Sequence, residues 1–306
     1  MSQGKSIVIL GVFMADTTYR AARLPKRGET LLGSGFALGP GGKGSNQAVA
    51  AALLGGDVTL LSRLGNDAFA DLAYQTWRAA GVTPEIIITP ESPTGAACIF
   101  VDDTTGENAI IITPGAASLL SVADVASFAG HIQKAGVFVT QLEQPVAVAR
   151  RALGDARLAG ALTILNPAPA CPLDDEMLAT CDYITPNEGE AEAMTGIKVT
   201  TLDDARRAAQ MLRQRGASNA VITLGAMGAL LATPEICELV PAINAGSVVE
   251  TTGAGDAFNG AFAYGLAQGM TALEATQFGC AAAGISVTRH GAASSMPTLA
   301  EVKRLL

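Results

Sequence analysis

Two periods alternate along the chain. Short apolar runs at Ile7–Val12, Asp57–Leu64, Gly136–Gln141, Leu162–Leu165, Tyr183–Thr185, Asn219–Leu224 and Gly228–Ala232 have the length and composition of buried strands. Between them, Gln47–Leu54, Asp67–Ala80 (Asp67 a candidate N-cap), Val122–Gly130, Val146–Leu158, Asp174–Thr180, Asp203–Arg215, the run after Asp256, Ala272–Val287 and Leu299–Leu305 read as helices. Pro186–Ala191 opens a further helix. From about Ser121 strand and helix alternate with short connections. That order predicts an α/β fold: a doubly wound, mostly parallel sheet flanked by helices. Two stretches interrupt it. Gly28–Leu38 alternates loosely as one or two short strands, and Thr94–Val101 and Asn108–Thr113 flank Asp102–Gly106 as a hairpin. These predict a small β-sheet lid, from segments about 13–38 and 94–113 of a single 1–306 domain, able to exclude water from a reactive site. Polar Asp16–Thr18 reads as the end of the first strand.

Composition narrows the function. At 306 residues, 49% hydrophobic and 16% charged, the chain suits a large packed core. A net charge of −8 without a basic cluster argues against a nucleic-acid surface, though not against an anionic nucleotide bound by local backbone. Five scattered cysteines with no CxxC pair suggest reduced thiols and a cytoplasmic setting, and Cys280 reads as packing. No apolar run approaches the ~18 residues of a membrane span. The two histidines, His131 and His290, lack metal-ligand spacing.

Glycine-rich turns carry the candidate chemistry. Thr252-Gly253-Ala254-Gly255-Asp256 stands just before a helix start. The first N–H groups of a helix lack intrahelical partners, and the helix dipole adds partial positive charge. Such a turn serves either as an anion site, with Asp256 placed to take a proton from a hydroxyl, or as a plain helix cap. Gly39–Asn46 is a second glycine loop before a helix, lacking the Walker spacing, with Lys43 and Asn46 as donors or a close-packed turn as the alternative. Asn187 and Glu190 share a helix start, suited to a hydrated Mg²⁺ or to a capping box. Thr223 and Gly225 suit phosphate contact or a β-turn. Asp16 and Glu143 suit sugar hydroxyls or are loop acids. Polar residues at so many strand ends point to a ligand crevice.

The paired signatures Gly41-Gly42-Lys43-Gly44-Ser45-Asn46-Gln47-Ala48 and Thr252-Gly253-Ala254-Gly255-Asp256-Ala257-Phe258 resemble those of the ribokinase-like (PfkB) carbohydrate kinase family. Landmarks between and beyond them agree: Gly28-Glu29-Thr30, Leu142-Glu143, Asn166-Pro167-Ala168-Pro169, Pro186–Glu190, Thr223-Leu224-Gly225 and Val287–Ala292. The resemblance implies transfer of the ATP γ-phosphate to a hydroxyl of a pentose or related sugar, with Mg²⁺, on a fold that often dimerises through its lid. It implies Asp256 as general base and the amides of Gly253, Ala254 and Gly255 as anion hole. It places Asp16, Gly42, Lys43, Asn46 and Glu143, with Met14 beside them, on the sugar. Asn187, Glu190, Thr223 and Gly225 fall on the Mg-ATP side.

Two departures stand out. Members that phosphorylate ribose usually carry Asn where Met14 stands. A methionine cannot make that amide hydrogen bond, so a deoxysugar, another pentose or hexose, or a nucleoside suits this chain better. Glu250 replaces a usual Asp beside a monovalent-cation site that the resemblance draws from Glu250, Thr252, Val287 and Ala292, which makes K⁺ activation an expectation to test. Rival readings are a nucleoside kinase on this fold and a non-catalytic sugar or nucleotide sensor. A dinucleotide oxidoreductase is disfavoured because Gly11-Val12-Phe13-Met14 replaces a G-x-G-x-x-G turn.

Overall fold

The computed structural model describes residues 4–306. Its strands are β1 (Ile7–Leu10), β2 (Met14–Ala21), β3 (Gly35–Gly41), β4 (Val58–Leu64), β5 (Thr83–Ile88), β6 (Ala96–Asp102), β7 (Asn108–Thr113), β8 (Val137–Thr140), β9 (Leu162–Leu165), β10 (Tyr183–Ile184), β11 (Asn219–Thr223), β12 (Gly228–Ala232) and β13 (Cys237–Pro241). The helices are α1 (Lys43–Leu53), α2 (Ala68–Ala80), α3 (Val122–Ser127), α4 (Ala129–Ile132), α5 (Val146–Leu158), α6 (Asp175–Leu178), α7 (Glu188–Thr195), α8 (Leu202–Gln214), α9 (Ala254–Ala267), α10 (Ala272–Ser286) and α11 (Leu299–Leu305).

Nine strands form one sheet in the order β13-β12-β11-β10-β9-β8-β1-β4-β5. The β11–β12 and β12–β13 pairs are antiparallel and the others parallel. Side-chain alternation along β1 shows why both faces are covered. Ile7 and Ile9 enter a core layer with Trp77, Phe258 and Phe262, whereas Val8 and Leu10 enter another with Phe138, Leu153 and Leu212. Strand order reverses at β1, which lies between β8 and β4. In open α/β sheets a ligand crevice forms beyond the carboxyl ends at such a reversal.

The lid is a separate four-stranded sheet, β3-β2-β6-β7. Its central β2 corrects the reading of Asp16–Thr18 as a strand end. The chain leaves β1 at Leu10 and resumes at Met14 as a strand paired antiparallel to β3 and parallel to β6. The loose pattern at Gly28–Leu38 resolves into Gly35–Gly41 alone. Helix α1 starts at Lys43 rather than Gln47, so Lys43 and Asn46 stand on a helical first turn and not in a loop. Strands β5 and β13 were not expected. Both are edge strands, one containing Pro84, and much of their surface is half-buried or exposed, so the apolar pattern is weak.

Candidate active site

Helices α1 and α9 bring the two glycine signatures together. A Cβ on Gly260 would lie 2.5 Å from the Gln47 carbonyl oxygen and 2.6 Å from Ala50 Cβ, so glycine lets the helices cross in backbone contact. Asp256 precedes Gly260 by one turn and therefore faces the start of α1. Asn46 Nδ2 donates to Asp256 Oδ2 at 2.9 Å, and Gln47 Nε2 donates to Oδ1 at 3.0 Å. Asp256 is only 7% exposed. A carboxylate so buried needs partners, and it has two amide donors with the Lys43 ammonium nearby.

The turn before each helix needs glycine. Gly42 caps α1 at φ 87° and Gly253 caps α9 at φ 80°, both in the left-handed region. Neither N-cap residue supplies a side-chain cap, and at α9 this leaves first-turn N–H groups available to a ligand. At α9 the Ala254 N–H turns to the Thr251 carbonyl at 3.2 Å, whereas among the described residues no acceptor meets the N–H of Gly253 or Gly255. Of the three amides expected to form an anion hole, those two are therefore free. At α1 the Lys43 N–H is taken by Glu143 Oε2 at 2.7 Å.

Asn187 and Glu190 form a capping box on α7. Asn187 Oδ1 accepts the Glu190 N–H at 2.8 Å, and Glu190 Oε2 accepts the Asn187 N–H at 2.9 Å. Glu190 is nevertheless buried and lines the same polar crevice as Asp256. That crevice, about 200 Å³, is bounded by Lys43, Asn166, Glu190, Gly253, Asp256 and Asn259. It opens at Asn187, Thr223, Thr251 and Gly255 into a cavity of about 770 Å³. The larger cavity is walled by Gly225, Ile243–Ala245, Val248, Phe258, Cys280 and Val287. A polar cleft joined to a mostly apolar chamber matches the two ends of a nucleoside triphosphate. Mg²⁺ fits the polar end: no donor among the described residues reaches Glu190 Oε1, which is left for a water of a hydrated ion. Cys280 is buried in the chamber wall with its thiol pushed up to about 12, consistent with packing.

Glu250, Thr252, Val287 and Ala292 gather at the rim, but two of their carbonyls are engaged. The Val287 oxygen accepts the N–H of Val249 (2.7 Å) and Glu250 (3.2 Å), and the Ala292 oxygen accepts Ser295 N (3.1 Å) and Oγ (2.8 Å). Glu250 Oε2 itself accepts the Gly291 N–H at 3.0 Å.

Met14 and Asp16 share one face of β2. Met14 is buried against Val12 and Ala117, and the Asp16 carboxylate lies over Gly41, where a Cβ would collide with it. The acids around Asp256 repel one another. Burial first, then Asp256 and Glu250, push Asp16 up to about 6. Burial raises Glu143 to about 7 against the opposing Lys43 N–H and ammonium, with Asp256 and Asp16 adding to the rise. Burial also raises Asp256 and Glu190. Lys43 moves the other way: burial disfavours its charge, but Asp256, Glu143 and Glu190 together hold its pKa above the usual value.

The sign of the stability effect follows. Carboxyls with raised pKa bind more protons folded than unfolded between about pH 4 and 7, so the free protein loses stability as pH rises through that window. Glu143→Gln is expected to stabilise the free protein at pH 8 by on the order of 1–3 kcal/mol, and to leave stability near pH 4 unchanged. Chemical denaturation at the two pH values checks this; equal effects at both would contradict it.

Sequence reasoning missed Gln47, Gln141, Thr185 and Asn259, which tie these parts together. Thr185 Oγ1 donates to Asn259 Oδ1 at 2.6 Å, and Asn259 Nδ2 donates to the Gly255 carbonyl at 2.8 Å. The signal was present: a lone amide in an apolar helical run, such as Asn259 in Ala257-Phe258-Asn259-Gly260-Ala261, is costly without a partner.

Comparison with known proteins places the sequence and fold in a family. Residues 5–299 match the pfkB family carbohydrate kinase model. A ribokinase of Haemophilus influenzae is 38% identical over 303 residues, 99% of this chain and 98% of that one. A deoxyribokinase of Salmonella typhi is 37% identical over 302 residues, 98% of each. The solved structure of an Arabidopsis thaliana ribokinase complexed with ribose and ATP superposes with a TM-score of 0.92 at 31% identity, covering 99% of this chain and 98% of that one. No helix among the described residues is long and apolar enough to cross a membrane. The chain is therefore a sugar kinase of the pfkB carbohydrate kinase family.

Proposed function

We propose that this enzyme transfers the γ-phosphoryl group of ATP to a pentose hydroxyl, that Asp256 is the general base, and that a 2-deoxypentose is preferred to ribose. The observation that carries the reaction is the Asp256 carboxylate, pinned by Asn46 and Gln47 in the polar crevice that adjoins the larger cavity through the neighbouring Gly255. In this reading the sugar lies between the lid and the main sheet against Asp16, Gly42, Lys43, Asn46 and Glu143. Its hydroxyl proton passes to Asp256, the oxygen bonds to the γ-phosphorus, and the bond to ADP breaks. Charge spreading onto the transferred group meets the free N–H groups of Gly253 and Gly255 and the dipole of α9. Asn187, Glu190, Thr223 and Gly225 serve the nucleotide, with Glu190 and Asn187 holding Mg²⁺ through water; the ion's contribution is to neutralise phosphate charge. Phosphoryl transfer asks mainly for positioning and charge stabilisation, which these groups supply.

Met14 supports the sugar preference. Its thioether stands on the face of β2 that carries Asp16, where an amide would satisfy a sugar hydroxyl. A hydroxyl turned to it loses a hydrogen bond, whereas a deoxy carbon loses nothing. The similarity to a deoxyribokinase is in line with this. Met14→Asn is expected to raise kcat/KM for ribose relative to 2-deoxyribose by about tenfold or more, read by coupled ADP detection. An unchanged ratio would contradict the assignment. The same panel extended to fructose and nucleosides separates a nucleoside kinase, and arms with and without K⁺ decide whether Glu250 and Thr252 support a monovalent cation. We also assign the lid to dimerisation: Leu32, Phe36, Ile110, Ile111 and Ile112 are exposed there, and light scattering would show a dimer.

A further inference from the structure

Two amides hold Asp256, and their orientations are determined differently. Gln47 is fully buried one residue beyond Asn46 on α1. Its Nε2 carries two N–H groups; one reaches Asp256 Oδ1 at 3.0 Å and the other Asn166 Oδ1 at 3.1 Å. Its Oε1 accepts Gln141 Nε2 at 2.6 Å. The direction of this string is set at its far end. Asn166 Nδ2 donates at 3.0 Å to the backbone carbonyl of Thr185, which can only accept. Asn166 must then turn its oxygen to Gln47, and Gln47 must turn its nitrogen to Asp256. By contrast, the buried Asn46 Oδ1 has no partner among the described residues, so nothing beyond Asp256 orients that amide.

We propose that Gln47 is a positioning residue for the general base, locked by the Asn166–Thr185 pair so that it always offers Asp256 a donor, with Gln141 donating to its oxygen. The proposal rests on the reading of Asp256 as the base. A fixed donor favours the carboxylate over the carboxylic acid and holds its rotamer, leaving the remaining lone pairs for the sugar hydroxyl. The demand for such a donor comes from the surroundings. Asp16 on β2, Glu143 after β8 and Glu190 on α7 face Asp256 with negative charge, with Glu250 beyond Asp16, and Lys43 on α1 is the cation that opposes them.

The test is Gln47→Met, which keeps the shape and removes the donor, compared with wild type and Asp256→Asn across pH. Expected for Gln47→Met are a fall in kcat of about tenfold, KM for sugar and ATP within about twofold, and a move of the acid limb of kcat/KM to higher pH by roughly one pH unit. A purely structural role would lower Tm and leave the pH limb in place, and that result would overturn the proposal. Should Gln47→Met fail to fold, the wild-type protein still decides: the Gln47 side-chain amide resonances are expected to titrate with the midpoint of the acid limb, and resonances indifferent to that limb would overturn it. Asp256→Asn separates the two claims. Wild-type turnover in that variant would defeat the base assignment itself, whereas its loss together with an unmoved Gln47→Met profile would defeat the positioning role alone.

Discussion

Asp256→Asn is expected to lower kcat by about 10²–10⁴-fold while sugar and ATP still bind. The substitution is nearly isosteric and removes the charge; Gln47 keeps its acceptor, and Asn46 can turn its unpartnered Oδ1 to the new NH₂, so the fold is preserved. It removes the carboxylate proposed as proton acceptor, and the neighbouring acids are held elsewhere. Glu143 is tied to the Lys43 N–H, Glu190 to the cap of α7, and Asp16 lies on the lid strand. It also relieves a crowded set of acids: Asp256 contributes to the raised pKa of Asp16, Glu143 and Glu190, so all three are expected to ionise at lower pH in the variant. A fall in kcat with sugar affinity kept, measured by isothermal titration beside the coupled assay, fits a base. Loss of affinity with kcat kept would make Asp256 a binding residue instead.

The second large effect is expected at the turn before α9, and its two glycines should behave oppositely. Gly253 sits at φ 80°, and a Cβ there would lie 2.9 Å from Ala292 Cα and 3.1 Å from Ala292 Cβ. Gly253→Ala must shift the turn, displacing the free N–H groups proposed to meet the phosphoryl charge. The expected cost is about 10²–10³-fold in kcat, with roughly 1–3 kcal/mol of stability lost to the strained backbone. A Cβ on Gly255, however, meets nothing within 4 Å. Gly255→Ala should fold at least as well, since alanine is favoured in a helix by about 1 kcal/mol. Gly255 lines both the crevice and the larger cavity, so the added methyl enters the space proposed for the nucleotide, and KM for ATP should rise severalfold. Thermal unfolding and ATP titration of the pair check both halves. Wild-type turnover in Gly253→Ala, or an unchanged ATP KM in Gly255→Ala, would count against an anion site here.

Much of this was legible in the sequence where the physics is local. The buried strands of the main sheet announce themselves by apolar runs, and the glycine turns by residues that only a left-handed or closely approached backbone requires. Asn187 and Glu190 show the limit of such reading: spacing left a cap and a cation site as alternatives, and the structure has the cap while Glu190 still borders the crevice. Strand β2 was hidden because it lacks an apolar alternation: after buried Met14 and Ala15 come half-buried Asp16–Thr18 and exposed Tyr19 and Arg20, so Asp16 looked like a loop acid. Gln47 and Asn259 were hidden for a different reason. Their partners, Asp256 and Thr185, lie 209 and 74 residues away, and only the packing of α1 on α9 and of α9 on the main sheet brings them into reach.

The most direct test follows the product. Wild type and Asp256→Asn are each incubated with ATP, Mg²⁺ and 2-deoxyribose or ribose, and phosphorus NMR follows the γ-phosphate. The expected result is a new sugar phosphomonoester matched by ADP in the wild type, faster with the deoxysugar, and nearly absent in the variant. ADP formed without a sugar phosphate, or sugar phosphate formed by Asp256→Asn at the wild-type rate, would contradict a pentose kinase built around Asp256.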